Sequence, residues 1–106
     1  MNEEELDAYA AAIAKIPGTP RPIKLRVYYD AALQRITGKD YDPVIMGEGA
    51  TFVYLLQNIF REHSGLAHKY PPGTISFEVN GEPPKPYTPL FDGDIVKVCI
   101  ASSEKE

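Results

Sequence analysis

Ile23-Lys24-Leu25-Arg26-Val27-Tyr28-Tyr29 alternates apolar and polar residues without a break. A period of two puts Ile23, Leu25, Val27 and Tyr29 on one face of an extended segment, and Lys24, Arg26 and Tyr28 on the other. The stretch predicts a β-strand with one face in a core. Upstream, Pro17-Gly18-Thr19-Pro20 interrupts the chain. Before that break, Asn2 to Ile16 reads as a helix. Asn2 caps it, Glu5 closes a capping box, and Glu3 to Glu5 place negative charge at the positive helix end. Leu6, Tyr9, Ile13 and Ile16 form an apolar stripe at helical spacing. A helix this short is marginal alone in water, so the stripe is expected to dock, on its own domain or on a partner.

Downstream, Asp30 to Gly38 reads as an irregular connector or short helix carrying Leu33 and Ile36, and Pro43 to Met46 as a short second strand. Thr51 caps the main helix, in which Phe52, Leu55, Leu56, Ile59 and Phe60 make a broad apolar stripe. Gly65 before Leu66 suggests a left-handed helix end, and Pro71-Pro72-Gly73 a turn. Thr74 to Val79 is a strand with Ile75, Phe77 and Val79 inward. Asn80-Gly81 is a tight-turn signal. Glu82 to Pro89 holds four prolines and is a ragged edge at most. Asp92-Gly93 turns the chain into a last strand, Asp94 to Ala101, with Val96, Val98 and Ile100 on one face.

The order is helix, strand, strand, helix, strand, edge, strand. One long helix between two sets of strands lets the first and last strands lie side by side in parallel. The expected class is therefore α+β, a ubiquitin-like β-grasp with a mixed sheet around one main helix and an extra N-terminal helix. The expected division is an N-terminal helical extension and linker over 1–20, a β-grasp domain over 21–101 and a short polar tail over 102–106.

Composition narrows the function. A chain of 106 residues suits one domain, and its net charge of −4, with no cluster of more than two cations, disfavours nucleic acid and anionic membrane as partners. No apolar run approaches a membrane span, and Met1-Asn2-Glu3-Glu4-Glu5 is unlike a secretory leader. The single Cys99 excludes an internal disulfide, so a cytoplasmic location is expected.

Three stretches resemble the MoaD/ThiS-like sulfur carriers. Val27 to Gly38 is similar to the first strand and following loop of the molybdopterin-synthase small subunit. Gly49-Ala50-Thr51 with Val53, Leu55 and Leu56 resembles that family's helix entry. Val79-Asn80-Gly81-Glu82 followed by Thr88 to Val96 resembles its closing hairpin and final strand, with Leu90 as a plug under the sheet. The resemblance covers about three quarters of the chain. It implies the fold and a habit of docking on a larger protein. In the family an adenylating enzyme activates a terminal glycine carboxylate, which then carries sulfur. No Gly-Gly dipeptide occurs in this sequence, which ends Ser102-Ser103-Glu104-Lys105-Glu106, so the family's functional glycines have no matching positions.

No serine-histidine-aspartate arrangement, phosphate-cradling glycine loop or metal-spaced cluster is visible, so no catalytic, cofactor or metal residue is assigned. His63 and His68 lack a clear acidic partner in sequence, and Asp92 and Asp94 are accounted for by the turn they flank. Alternation places Lys24, Arg26 and Tyr28 beside Lys97 and Cys99 on the outer sheet face, a cationic and aromatic patch in an acidic protein. Those five residues are the candidate partner site. The rival readings are a solvated face and cover by the N-terminal helix. The expected function is a non-catalytic accessory subunit that binds a larger protein. The alternative is participation in sulfur transfer for molybdopterin or a related cofactor. An RNA-associated β-grasp module and an autonomous enzyme rank lower.

Overall fold

Hydrophobic alternation produces the strands of the sheet. The computed structural model describes residues 2–70 and 73–100. The expected Pro71-Pro72 part of a turn, the Ala101 end of the last strand and the 102–106 tail lie outside the described residues. Strands β1 (Pro22–Tyr29), β2 (Tyr41–Gly47), β3 (Ile75–Val79) and β4 (Ile95–Ile100) form one sheet in the order β2-β1-β4-β3. β1 and β4 run parallel at its centre, with Tyr28 opposite Lys97 and Tyr29 opposite Val98. Antiparallel β2 and β3 form the two edges. This is the β-grasp arrangement expected from the element order.

The inner face takes the alternating apolar set: Leu25, Val27, Val96 and Val98 are at most 1% exposed. Helix α3 (Phe52–Glu62) lays Phe52, Leu55 and Ile59 on that face, while Leu56 and Phe60 are half-buried. Thr51 precedes α3 as expected, but its side chain makes no capping bond. The proline-rich loop takes over that task, because the carbonyls of Thr88 and Pro86 accept the free N–H groups of Phe52 and Val53 at 2.9 Å each.

Asn80 (φ 52°) and Gly81 (φ 88°) form the two-residue turn, in which Val79 and Glu82 exchange both backbone bonds. The connector after Asp30 is helix α2 (Ala31–Thr37), capped by the Asp30 carboxylate on the Leu33 N–H at 2.9 Å. The other Asp30 oxygen accepts the Ile100 N–H at 2.9 Å and so ties the first crossover to the last strand.

Two local expectations are corrected. Gly65 does not end a helix in the left-handed region; it opens the short helix α4 (Gly65–Lys69). A Cβ there would lie 3.1 Å from the Ile36 methyl group, so close packing against α2 accounts for the glycine. The second strand also runs further than Pro43 to Met46, because pairing with β1 extends it to Tyr41 and Gly47.

Candidate protein-docking face

The N-terminal helix α1 (Glu3–Ala14) has the predicted capping box: Asn2 accepts the Glu5 N–H at 2.8 Å and Glu5 accepts the Asn2 N–H at 3.0 Å. The helix ends at Ala14, short of the expected Ile16, and only Leu6 and Ile13 of the expected stripe are half-buried. Glu3, Leu6, Ala10 and Ile13 are its half-buried positions, none of its residues is fully buried, Tyr9 is 55% exposed, and Ile16, beyond the helix end, is 52% exposed. The helix is held by these half-buried apolar residues together with ion pairs from Glu3 and Asp7.

That charge sits over the outer face of the sheet. The Glu3 carboxylate receives Lys24 Nζ at 2.7 Å, Arg26 Nη2 at 2.9 Å and Nε at 3.2 Å, and the Tyr41 hydroxyl at 2.7 Å. Asp7 adds a second contact to Lys24 at 2.9 Å. The Lys24, Tyr41 and Arg26 donors hold the Glu3 carboxyl at about 2, below its ordinary 4.5. Tyr41 is stacked on Tyr28 at 5.2 Å between centroids, and the Arg26 guanidinium lies 5.5 Å from the Tyr41 ring centre.

The five residues singled out from sequence therefore fall into two parts. Lys24, Arg26 and Tyr28 sit on β1, with α1 engaging the two cations. Lys97 and Cys99 sit on β4 beside Glu78 and Ser76 of β3, and Lys97 remains exposed. Burial first, then the Asp30 and Glu78 carboxylates, pushes the Cys99 thiol up, which disfavours the thiolate. Glu3, Asp7 and Tyr41 were not legible as parts of this face. Their contacts span up to 38 residues in sequence, and no local pattern encodes them.

A second cluster bridges β2 and α3. His63 Nε2 lies 2.6 Å from Asp42 Oδ2, the Tyr29 hydroxyl donates to the same oxygen at 2.7 Å, and Lys39 Nζ reaches Asp42 Oδ1 at 2.9 Å. His63 thus has the acidic partner that its sequence neighbours do not supply. Burial pushes Asp42 up, but bonds from Tyr29, His63 and Lys39 together outweigh it and leave the carboxyl below its ordinary range. Asp42→Ala is expected to cost about 1–3 kcal/mol at neutral pH by stranding the buried Tyr29 and the half-buried His63. A carboxyl depressed in the folded state contributes fully above its unfolded pKa of 3.8 and loses that contribution as pH falls through the folded value. The gap between wild type and Asp42→Ala should therefore shrink in urea titrations below about pH 4. A gap independent of pH would contradict the assignment.

Among the described residues no group of three or more His, Cys, Asp or Glu side chains is placed to hold a metal ion, and no helix is long and apolar enough to cross a membrane.

No family model matches the sequence, and no curated protein matches it. Solved structures do. A protein from Pyrococcus furiosus assigned as molybdopterin converting factor subunit 1 is 25% identical, with a TM-score of 0.67, over 74% of this chain and 97% of that one. Small archaeal modifier protein 1 of Haloferax volcanii is 18% identical, with a TM-score of 0.65, over 74% of this chain and 97% of its own. Its namesake from Methanosarcina acetivorans is 18% identical, with a TM-score of 0.60, over 77% and 96%. The chain has a MoaD/ThiS-like, ubiquitin-like β-grasp fold.

Proposed function

We propose that this protein works by docking on a larger protein in sulfur transfer for molybdopterin or a related cofactor. The observation that carries this reading is the likeness to the Pyrococcus furiosus converting-factor subunit, which extends over 97% of that chain. It favours the sulfur-transfer alternative over a plain accessory subunit of an unrelated enzyme. The contribution assigned to the described residues is docking through the sheet face. The docking surface proposed is the outer sheet face, with Lys97 and Cys99 on its open half and Lys24, Arg26 and Tyr28 on the half engaged by α1.

The test is calorimetric titration of the purified protein into the adenylating enzyme and the molybdopterin-synthase large subunit of the same organism. Binding to one of them with a dissociation constant at or below about 10 μM is expected. Lys97→Glu should weaken that complex by about tenfold, because it reverses the exposed charge at the centre of the face. Binding to neither protein would overturn the reading and return the accessory-subunit alternative.

A further inference from the structure

We infer that the cradle formed by Lys24, Arg26 and Tyr41 is a recognition site for a carboxylate side chain on an acidic segment of the partner, and that α1 is its internal competitor. The inference rests on the docking reading of the sheet face. It adds the chemistry of the partner and the state in which the face opens.

The cradle is a property of the sheet. Its donors come from β1 and β2, and they converge on a single carboxylate with contacts of 2.7 to 3.2 Å. Stacking of Tyr41 on Tyr28, with Arg26 against the Tyr41 ring, holds the fork and the hydroxyl in place whichever carboxylate arrives. A cleft of about 300 Å³ opens beside it among Lys24, Arg26 and residues 92–95, leaving room for the backbone of an incoming segment.

The present occupant is lightly held. α1 has twelve residues, buries none of them completely and leaves Tyr9 in solvent. Isolated helices of that length are marginal, so the hold on α1 rests on half-buried Leu6, Ala10 and Ile13 and on the Glu3 and Asp7 contacts. A well-formed carboxylate cradle is thus filled by a weakly packed helix joined to β1 through a linker containing Gly18 at φ 85°. Such a tethered occupant raises the local carboxylate concentration and lowers the apparent affinity of any competitor. Charge complementarity selects the competitor: Glu3 and Asp7 show what the cradle binds, so the partner segment carries Glu or Asp at the point of contact.

The experiment uses the full chain and a fluorescent peptide of residues 1–16 as the probe, followed by anisotropy at low salt. Opening the face with the double variant Glu3→Gln and Asp7→Asn should tighten peptide binding by at least about tenfold, the factor expected if the face is open a tenth of the time in wild type. Adding Arg26→Gln to the opened chain should abolish the gain, and a peptide carrying Glu3→Gln should bind no better than background. Equal binding to wild type and opened chain would overturn the inference, as would retention of the gain without Arg26 or without the peptide carboxylate. No sulfur-transfer protein enters this assay, so its failure is distinct from failure of the proposed function.

Discussion

Leu90→Ala is expected to lower the unfolding free energy by about 2–5 kcal/mol. Leu90 is 1% exposed and sits outside regular secondary structure, between the proline-rich loop and the 92–94 turn. Its backbone N–H donates to the Ala50 carbonyl at 3.0 Å, which fixes the loop against the entry to α3. The side chain belongs to the same core cluster as Phe52, Leu55, Val79 and Val96. Truncation loses the transfer energy of the removed carbons and leaves a cavity that a loop clamped by hydrogen bonds cannot fully close. Against a typical domain stability of about 5–15 kcal/mol, the melting temperature should fall by on the order of 10–20 °C. Tyr87→Ala, at 69% exposure in the same loop, should stay within about 0.5 kcal/mol of wild type. A Leu90→Ala variant as stable as Tyr87→Ala would mean that the loop collapses freely and that Leu90 is not a plug.

Asp94→Ala is expected to cost about 2–4 kcal/mol, through polar groups and not through volume. Among the described residues Asp94 is the one charged side chain that is buried, at 9% exposure. It accepts the Phe91 N–H at 2.8 Å and the Asn80 side-chain amide at 2.9 Å. Asn80 in turn accepts the Ile95 N–H at 3.0 Å. One carboxylate therefore links the β3 turn to the start of β4, and its loss strands two donors. The local signature would be faster amide exchange at Phe91 and Ile95 than in wild type. A double-mutant cycle with Asn80→Gly, a replacement that tolerates the positive φ of that position, should show non-additivity on the order of 1 kcal/mol. Additive losses would show that the two side chains act independently and that water serves the freed groups.

These two residues show what could be read in advance. Leu90 followed by Asp92-Gly93-Asp94 was legible as a plug and a reversal, since a lone leucine ahead of turn residues has an evident use. That Asp94 also receives Asn80 was not, because the two lie 14 positions apart across a loop. The Asp42–His63 pair, 21 residues apart, escaped for the same reason.

The N-terminal helix makes the division sharpest. Its capping box is satisfied within four residues and followed from sequence. Docking on its own domain was among the expectations, and Leu6 and Ile13 of the stripe are half-buried; Tyr9 and Ile16 stay in solvent, and the Glu3 contacts to β1 and β2 were not legible. Periodicity finds the apolar face of an element, but it is silent about which surface will meet that element and with what charge.

By itself the sequence determined the strands, the main helix and the turns, and through their order the β-grasp plan. Those choices are governed by periods of two and 3.6 residues and by local φ preferences. Only the tertiary structure decided that the cationic half of the outer face holds a carboxylate of its own chain. That pairing depends on the close approach of Glu3 to Lys24, Arg26 and Tyr41, and the folded sheet creates it through the β1–β2 register that sets Tyr28 opposite Tyr41.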